Sequence, residues 1–150
     1  MHSLARLYIK TAILYLMLGL GIGGWALIRR ELGAYPSTYV ISAHTHAILV
    51  GFVMLMILGV ALWMFPRPAA EDERYSPMLA TAAYWLVTVG TGVRTLGELA
   101  RTETAALWLR WTIIVAGLLQ IAGLAVFFYT MWSRIRPSGS RAREKAGERF

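Results

Sequence analysis

Residues 42–65 read SAHTHAILVGFVMLMILGVALWMF, a stretch with two histidines near its start and no aspartate, glutamate, lysine or arginine. A run this long and apolar is typical of a helix that crosses a membrane. His44 and His46 are then ionisable groups at membrane depth, where such groups are costly and usually functional. Histidine is also the commonest metal ligand in its neutral form. The pair is therefore the first candidate for the chemistry of this protein.

The composition of the whole chain indicates an integral membrane protein. Of its 150 residues, 57% are hydrophobic and 15% are charged, and the mean hydropathy is +0.54. The formal net charge of +7 comes from arginines and lysines near segment ends and in the C-terminal tail, where cations meet lipid phosphates. No nucleic-acid-binding module accompanies them. The absence of cysteine excludes disulfides, thiolate zinc sites, iron–sulfur clusters and covalently attached haem.

Hydropathy divides the chain into four apolar segments, each near the roughly 20 residues that a helix needs to cross a bilayer. The predicted spans are Leu7–Ile28, Tyr39–Phe65, Met78–Leu96 and Ala105–Trp132. Short connections that carry proline or glycine separate them. We therefore predict an all-α integral membrane four-helix bundle over residues 1–132, followed by a basic, solvated cytoplasmic tail over residues 133–150.

The distribution of lysine and arginine predicts the orientation of this bundle. With the N-terminus inside, ten of the 15 lysines and arginines fall on the inner side of the membrane. We therefore expect both termini in the cytoplasm and a multi-pass protein of the inner, cytoplasmic membrane. His44 and His46 would then lie in the outer third of the bilayer.

Helix geometry limits what the two histidines can do together. Residues two apart are separated by about 200° around an α-helix, because each residue turns by about 100°. His44 and His46 therefore point in nearly opposite directions and cannot hold one ion from the same face. A zinc pair usually has the spacing i, i+4, whereas a haem takes one imidazole at each axial position. The alternative is a structural role, in which a histidine only forms hydrogen bonds near the interface.

Residues 44–67, HTHAILVGFVMLMILGVALWMFPR, resemble the haem-ligating helix of the haem–copper oxidase superfamily. The likeness is closest to subunit I of cbb-type cytochrome oxidases and nitric oxide reductases, in which a His-x-His pair opens a helix that ends in an aromatic-Pro-Arg turn. It implies that one histidine binds the active-site haem and that the other binds the low-spin haem on the opposite face. The other three spans resemble that family only in their order and length.

The chain also departs from that family. The copper-binding histidines and the cross-linked tyrosine of the oxidase site lie on helices that it lacks, and its only other histidine, His2, is predicted on the opposite side of the membrane. We therefore do not expect this chain alone to reduce oxygen to water, and its enzymatic activity stays undecided. The resemblance implies a bound haem b, with copper or zinc held by His44 and His46 as the alternative.

A haem with two imidazole ligands requires a second histidine helix, which a two-fold symmetric dimer would provide. Otherwise the haem is five-coordinate and open to nitric oxide, oxygen or carbon monoxide, or it has a methionine as its second ligand. Three function classes follow: a haem protein for electron transfer or gas binding, a copper- or zinc-binding assembly factor, and an accessory subunit of a respiratory oxidase complex. The expected partners are the lipid bilayer, a second copy of the chain and a respiratory-chain redox partner.

Arg94, Gln120 and the glycines Gly19 and Gly23 each have a predicted role. Arg94, near the outer end of the third span, is the candidate partner of the haem propionates, which need cations at the membrane edge. The alternative is an arginine that extends its charged end to the membrane surface and pairs with Glu98 one turn on. Gln120, deep in the fourth span, is expected to form a hydrogen bond between helices. Gly19 and Gly23 form a small-xxx-small pattern that permits a close helix approach, within the chain or between chains.

Overall fold

The computed structural model describes residues 3–66, 74–135 and 147, and these residues form helices and no strand. Four long helices follow one another: α1 (Ser3–Glu31), α2 (Thr38–Met64), α3 (Pro77–Ala100) and α4 (Leu107–Met131), the last followed by a 3₁₀ turn at Trp132–Arg134. Each helix contains its predicted span or ends within two residues of it, so the all-α prediction is confirmed. His2 and most of the predicted basic tail lie outside the described residues.

Local sequence signals explain the reversal between α1 and α2. Gly33 follows the end of α1 with a φ of +84°, a left-handed conformation that glycine adopts without a Cβ penalty. The Gly33 amide donates to the carbonyl oxygen of Arg30 at 3.0 Å, which satisfies one of the last carbonyls of the helix. Ser37 then caps α2, because its side chain accepts a hydrogen bond from the amide of Val40. The start of α2 is thereby held beside the end of α1.

Among the described residues, three helices are long and apolar enough to cross a membrane: α1, α2 and α4. The 24 residues of α3 span about 36 Å, which is also sufficient in length. This helix is more polar, because it contains several threonines together with Arg94 and Glu98. Several of its polar side chains face the interior of the bundle: Thr91, Thr95 and Glu98 are each at most 3% exposed. A membrane protein is thus supported by three helices, and the third span remains a prediction.

The helices pack antiparallel, each mainly against its neighbour in sequence. The contact between α3 and α4 is about as extensive as the one between α1 and α2. Gly90 permits it, because a Cβ at this position would lie only 2.8 Å from the carbonyl oxygen of Ala116. α1 also reaches α3 through the hydroxyl of Tyr15, which donates to the carbonyl oxygen of Thr88 at 2.7 Å.

Arg134 joins the end of α4 to the end of α2. Its Nε donates to the carbonyl oxygen of Pro66 at 2.8 Å, and its Nη2 donates to the carbonyl oxygens of Leu62 and Phe65 at 3.2 and 3.1 Å. These bonds satisfy carbonyls that have no partner within the last turn of a helix. We call this end of the bundle, where α2 and α4 finish, the Pro66 end, and we call the opposite end the histidine end.

An apolar and aromatic core closes the Pro66 end. Tyr8, Leu58, Tyr84 and Phe127 belong to it, and none is more than 3% exposed. The ring of Tyr8 meets those of Tyr84 and Phe127 edge-on, with centroid distances of 5.0 and 5.9 Å. Its hydroxyl donates to the carbonyl oxygen of Ala80 at 3.3 Å. The polar atom of this buried tyrosine is therefore satisfied by backbone.

Candidate functional site

His44 lies at the contact between α2 and α1. Its Nδ1 is 2.8 Å from the carbonyl oxygen of Gly19, and its ring packs on Gly23, where a Cβ would lie 2.6 Å from Cε1. Because a carbonyl oxygen only accepts, Nδ1 of the neutral ring carries the proton and Nε2 keeps its lone pair. Many metal-binding histidines are held in this way, with the other ring nitrogen on a backbone carbonyl. The close approach predicted for Gly19 and Gly23 thus occurs within the chain.

His46 faces α3. Its Nδ1 is 2.9 Å from the carbonyl oxygen of Ser42, one turn earlier on α2, and 3.6 Å from Oε2 of Glu98. The carbonyl again assigns the proton of the neutral ring to Nδ1 and leaves the lone pair on Nε2. Within the described residues, neither His44 nor His46 forms a hydrogen bond through Nε2. The side chain of His46 is 22% exposed.

The two histidines point to opposite sides of α2, as helix geometry predicts. His44 contacts α1, and His46 contacts α3. The part of the chain that the structure describes contains no group of three or more His, Cys, Asp or Glu side chains that could hold a metal ion. Each imidazole is therefore a separate candidate ligand with its own surroundings.

The hydrogen-bond pattern of α2 changes directly after His46. From Ala47 to Met54 the helix is π-helical, and α-helical bonding resumes at Leu55. π-Helical segments are rare and are frequent at functional sites. Tyr15 of α1 packs directly against Gly51 within this segment. The wider turns alter the directions of all later side chains on α2 relative to the histidines, which the sequence analysis did not predict.

Glu98 is the centre of a buried polar network at the histidine end. Its Oε1 accepts hydrogen bonds from the Ser42 hydroxyl at 2.8 Å and from Nε of Arg94 at 3.1 Å. Its Oε2 has no hydrogen bond within the described residues and faces Nδ1 of His46 at 3.6 Å. The side chain of Glu98 is only 4% exposed. A buried carboxylate requires a compensating charge, which Arg94 provides.

The network continues from Arg94 into α4. Nη1 of Arg94 donates to Oε1 of Gln120 at 3.4 Å, and Nε2 of Gln120 donates to the hydroxyl of Thr91 at 3.0 Å. The Thr91 hydroxyl donates in turn to the carbonyl oxygen of Val87 at 2.7 Å. The interhelical role predicted for Gln120 is confirmed. Polar side chains around one ion pair thus connect α2, α3 and α4.

Arg94 forms the pair with Glu98 that their spacing on the helix suggested, at 3.1 Å between Nε and Oε1. Its guanidinium lies against Gly117 of α4, and its side chain is 27% exposed. Arg94 is therefore on the side of α2 that carries His46, whereas His44 contacts α1. A role towards haem propionates would concern a haem on the His46 side.

Sequence reasoning missed Ser42 as a site residue. Ser42 precedes His46 by four residues, so the two share one face of α2, and this spacing was a signal that could have found it. The carbonyl of Gly19 and the approach of Glu98 to Ser42 gave no such signal, because both depend on contacts between helices.

A cavity of about 290 Å³ opens beside His44, in the angle between the end of α1 and the start of α2. Leu27 and Ile41 contribute to its apolar wall, and Arg30 and Tyr35 are among its polar residues. A cation, a phenol and an imidazole therefore line one space.

No family model matches this chain, and no curated protein or solved structure is significantly similar to it. These comparisons do not bear on the resemblance of residues 44–67 to the oxidase helix.

Proposed function

We propose that this chain is a membrane b-type haem protein that transfers electrons or binds a diatomic gas such as nitric oxide or oxygen. The observation that carries the proposal is the hydrogen bonding of the two imidazoles. Nδ1 of each is bound to a backbone carbonyl, which leaves Nε2 of His44 and His46 to bind iron. The likeness of residues 44–67 to the haem-ligating oxidase helix supports the same assignment.

The surroundings of His44 fit an axial ligand. Its ring is fixed between the Gly19 carbonyl and the surface of Gly23, and the adjoining cavity is mostly apolar, as a macrocycle requires. The cavity volume of about 290 Å³ is at the lower limit of the roughly 300–1,000 Å³ of pockets that bury drug-sized ligands. One chain would therefore enclose only part of a haem.

A second copy of the chain would cover the rest. In a two-fold symmetric dimer, equivalent histidines of the two copies would hold one haem between them. Bound haem supplies one-electron chemistry or, with one position open, gas binding. Of the chain's own residues, the Gly19 carbonyl fixes the imidazole of His44, and apolar side chains such as Leu27 and Ile41 would contact the macrocycle.

We further propose that all four helices cross the inner membrane, with both termini in the cytoplasm. The charges of α3 are compatible with this arrangement, because Arg94 and Glu98 pair inside the bundle. The histidine end then faces outward, where a respiratory-chain redox partner would approach the haem.

The optical spectrum of the full chain, purified in detergent, tests the proposal. We expect a Soret band, with α and β bands after reduction by dithionite. Reduced bands that carbon monoxide leaves unchanged would indicate a six-coordinate haem and electron transfer. A Soret band that carbon monoxide shifts would indicate an open axial position and gas binding.

Variants of the histidines test the ligand assignment. We expect His44→Ala or His46→Ala, or both, to lose haem. Thr45→Ala is the matched control, because Thr45 lies between them and its hydroxyl bonds only to Ile41 of the same helix. If both histidine variants keep the full haem complement, the assignment is wrong. A chain that binds no haem after reconstitution contradicts the proposal, and copper or zinc in the purified protein would then favour the assembly factor.

A further inference from the structure

The cavity beside His44 connects an imidazole to a guanidinium through an apolar passage. Arg30 follows Gly23 by seven residues on α1, so the two Cα atoms are separated by about 10.5 Å along the helix axis. Since His44 packs on Gly23, the imidazole lies at one end of the cavity and Arg30 lies at the other, near the C-terminal end of α1. Ala26 and Leu27 of α1 line the cavity between these two positions.

These positions define the ligand that fits. Nε2 of His44 binds a metal or accepts a hydrogen bond, because its Nδ1 already donates to Gly19. The apolar side chains between the two ends, Ala26 and Leu27, can contact the apolar part of a ligand. The guanidinium of Arg30 can bind an anionic group. A flat apolar ligand with a metal at its centre and a carboxylate at its edge meets all three requirements.

The present partner of Arg30 can be replaced. Nη2 of Arg30 lies 3.0 Å from the carboxylate of Glu31, and the two side chains are 58% and 67% exposed. An ion pair this exposed contributes little, so a carboxylate of a ligand can take the place of Glu31. The guanidinium of Arg94, by contrast, is engaged by the buried Glu98 and by Gln120.

We propose that this cavity is the propionate site of a haem bound to His44 and that Arg30 pairs with a propionate carboxylate there. The inference rests on the proposed haem function and refines it, because the cation assigned to the haem of His44 is Arg30 and not Arg94. A guanidinium and a carboxylate can form two parallel hydrogen bonds, which fix orientation as well as charge. Tyr35, 90% exposed beside Arg30, offers a phenol to the same edge.

Hemin and hemin dimethyl ester, whose propionates are neutral, test this pairing. The full chain is stripped of haem in detergent and titrated with each probe, and the dissociation constants are taken from the Soret absorbance. We expect Arg30→Gln to weaken hemin binding by about tenfold or more. Arg30→Lys should weaken it less, because lysine keeps the charge and loses only the planar fork. Binding of the ester should be the same in Arg30→Gln and in the parent.

Arg29→Gln is the matched control. Arg29 has the same charge and is adjacent in sequence, but its guanidinium lies over the ring of Trp25 at 5.7 Å. We expect this variant to bind hemin within about twofold of the parent, because it removes the same charge without removing the propionate partner. An equal loss in Arg29→Gln would mean a general attraction of charge to hemin or to lipid headgroups. A loss of ester binding equal to the loss of hemin binding would mean that Arg30 does not act through the carboxylate. Either result overturns the inference.

The His44→Ala variant separates this inference from the function on which it rests. Suppose that the parent binds hemin, that His44→Ala does not bind it, and that Arg30→Gln binds it as tightly as the parent. The haem function then stands, and the propionate site is wrong. If His44→Ala binds hemin as tightly as the parent, the site beside His44 is wrong and His46 is left as the ligand. If the parent binds no hemin, both are wrong. Circular dichroism of each variant verifies that the helices are intact.

Discussion

The two ends of the bundle are built from different kinds of residue. The interior of the Pro66 end consists of aromatic and aliphatic side chains such as Tyr8 and Phe127, and its buried guanidinium, Arg134, bonds to backbone carbonyls. The interior of the histidine end holds the carboxylate of Glu98, the guanidinium of Arg94 and an imidazole within 3.6 Å of that carboxylate.

This difference indicates that the residues of the Pro66 end mainly stabilise the fold and that the polar residues of the histidine end mainly position the functional site. Aromatic packing stabilises a buried interior directly. A buried ion pair loses its hydration and is often no more stable than apolar residues of the same volume. The polar residues of the histidine end are therefore poorly explained by stability alone, and their contacts with Ser42 and His46 suggest that they position the site. Variants at both ends can break or sharpen this comparison.

The largest effect on stability is expected for Arg94→Leu. It leaves Glu98 buried without a compensating charge, which typically costs about 3–5 kcal/mol. Unfolding by SDS in mixed micelles, followed by circular dichroism, measures the loss. The double variant Arg94→Leu/Glu98→Gln should recover most of it. If Arg94→Leu alone is as stable as the parent, the ion pair does not hold the histidine end together. If Arg94→Leu also keeps haem at parental affinity, Arg94 has no propionate role towards a haem on the His46 side either.

Phe127→Ala should cost about 3 kcal/mol at the Pro66 end, because it opens a cavity where the ring packs on Tyr8. The same unfolding measurement applies. Phe128→Ala is the control, since this adjacent ring is 46% exposed. Haem affinity should stay within about twofold of the parent in both. A large loss of affinity in Phe127→Ala would show that the two ends are not separable.

Gly23→Ala should weaken haem binding by about tenfold or more, because the new methyl group displaces the His44 ring from the Gly19 carbonyl. Gly21→Ala is the matched control, as no atom lies within 4 Å of a Cβ at that position. Hemin titration compares the two. If Gly23→Ala and Gly21→Ala bind hemin with equal affinity, the position of the His44 ring on Gly23 does not matter for haem binding, which contradicts the assignment of His44 as a ligand.

The smallest effect is expected for Tyr8→Phe, which removes one hydroxyl bond to the backbone of Ala80. Interhelical hydrogen bonds of this kind contribute about 0.6 kcal/mol in membrane proteins. Tyr129→Phe, at a position 56% exposed, is the control and should leave stability unchanged. A loss of several kcal/mol in Tyr8→Phe would mean that hydroxyl bonding, and not packing, stabilises the Pro66 end.

Much of the fold could be predicted because its signals are local. The four helices follow from apolar runs of membrane length, and the turn at Gly33 falls in a predicted connection that carries glycine and proline. The spacing of Arg94 and Glu98 indicated their ion pair. The π-helical segment from Ala47 to Met54 could not be predicted, because an apolar run has no charged face from which its period can be read.

For the site, the sequence by itself determined that His44 and His46 point in opposite directions, because the period of a helix is a property of the local backbone. Only the tertiary structure decided which helix each histidine faces. It brings Ser42 to Glu98 across 56 residues and sets the Gly19 carbonyl against Nδ1 of His44. Such contacts depend on how closely helices approach and how they are rotated, and these follow from packing over their whole length.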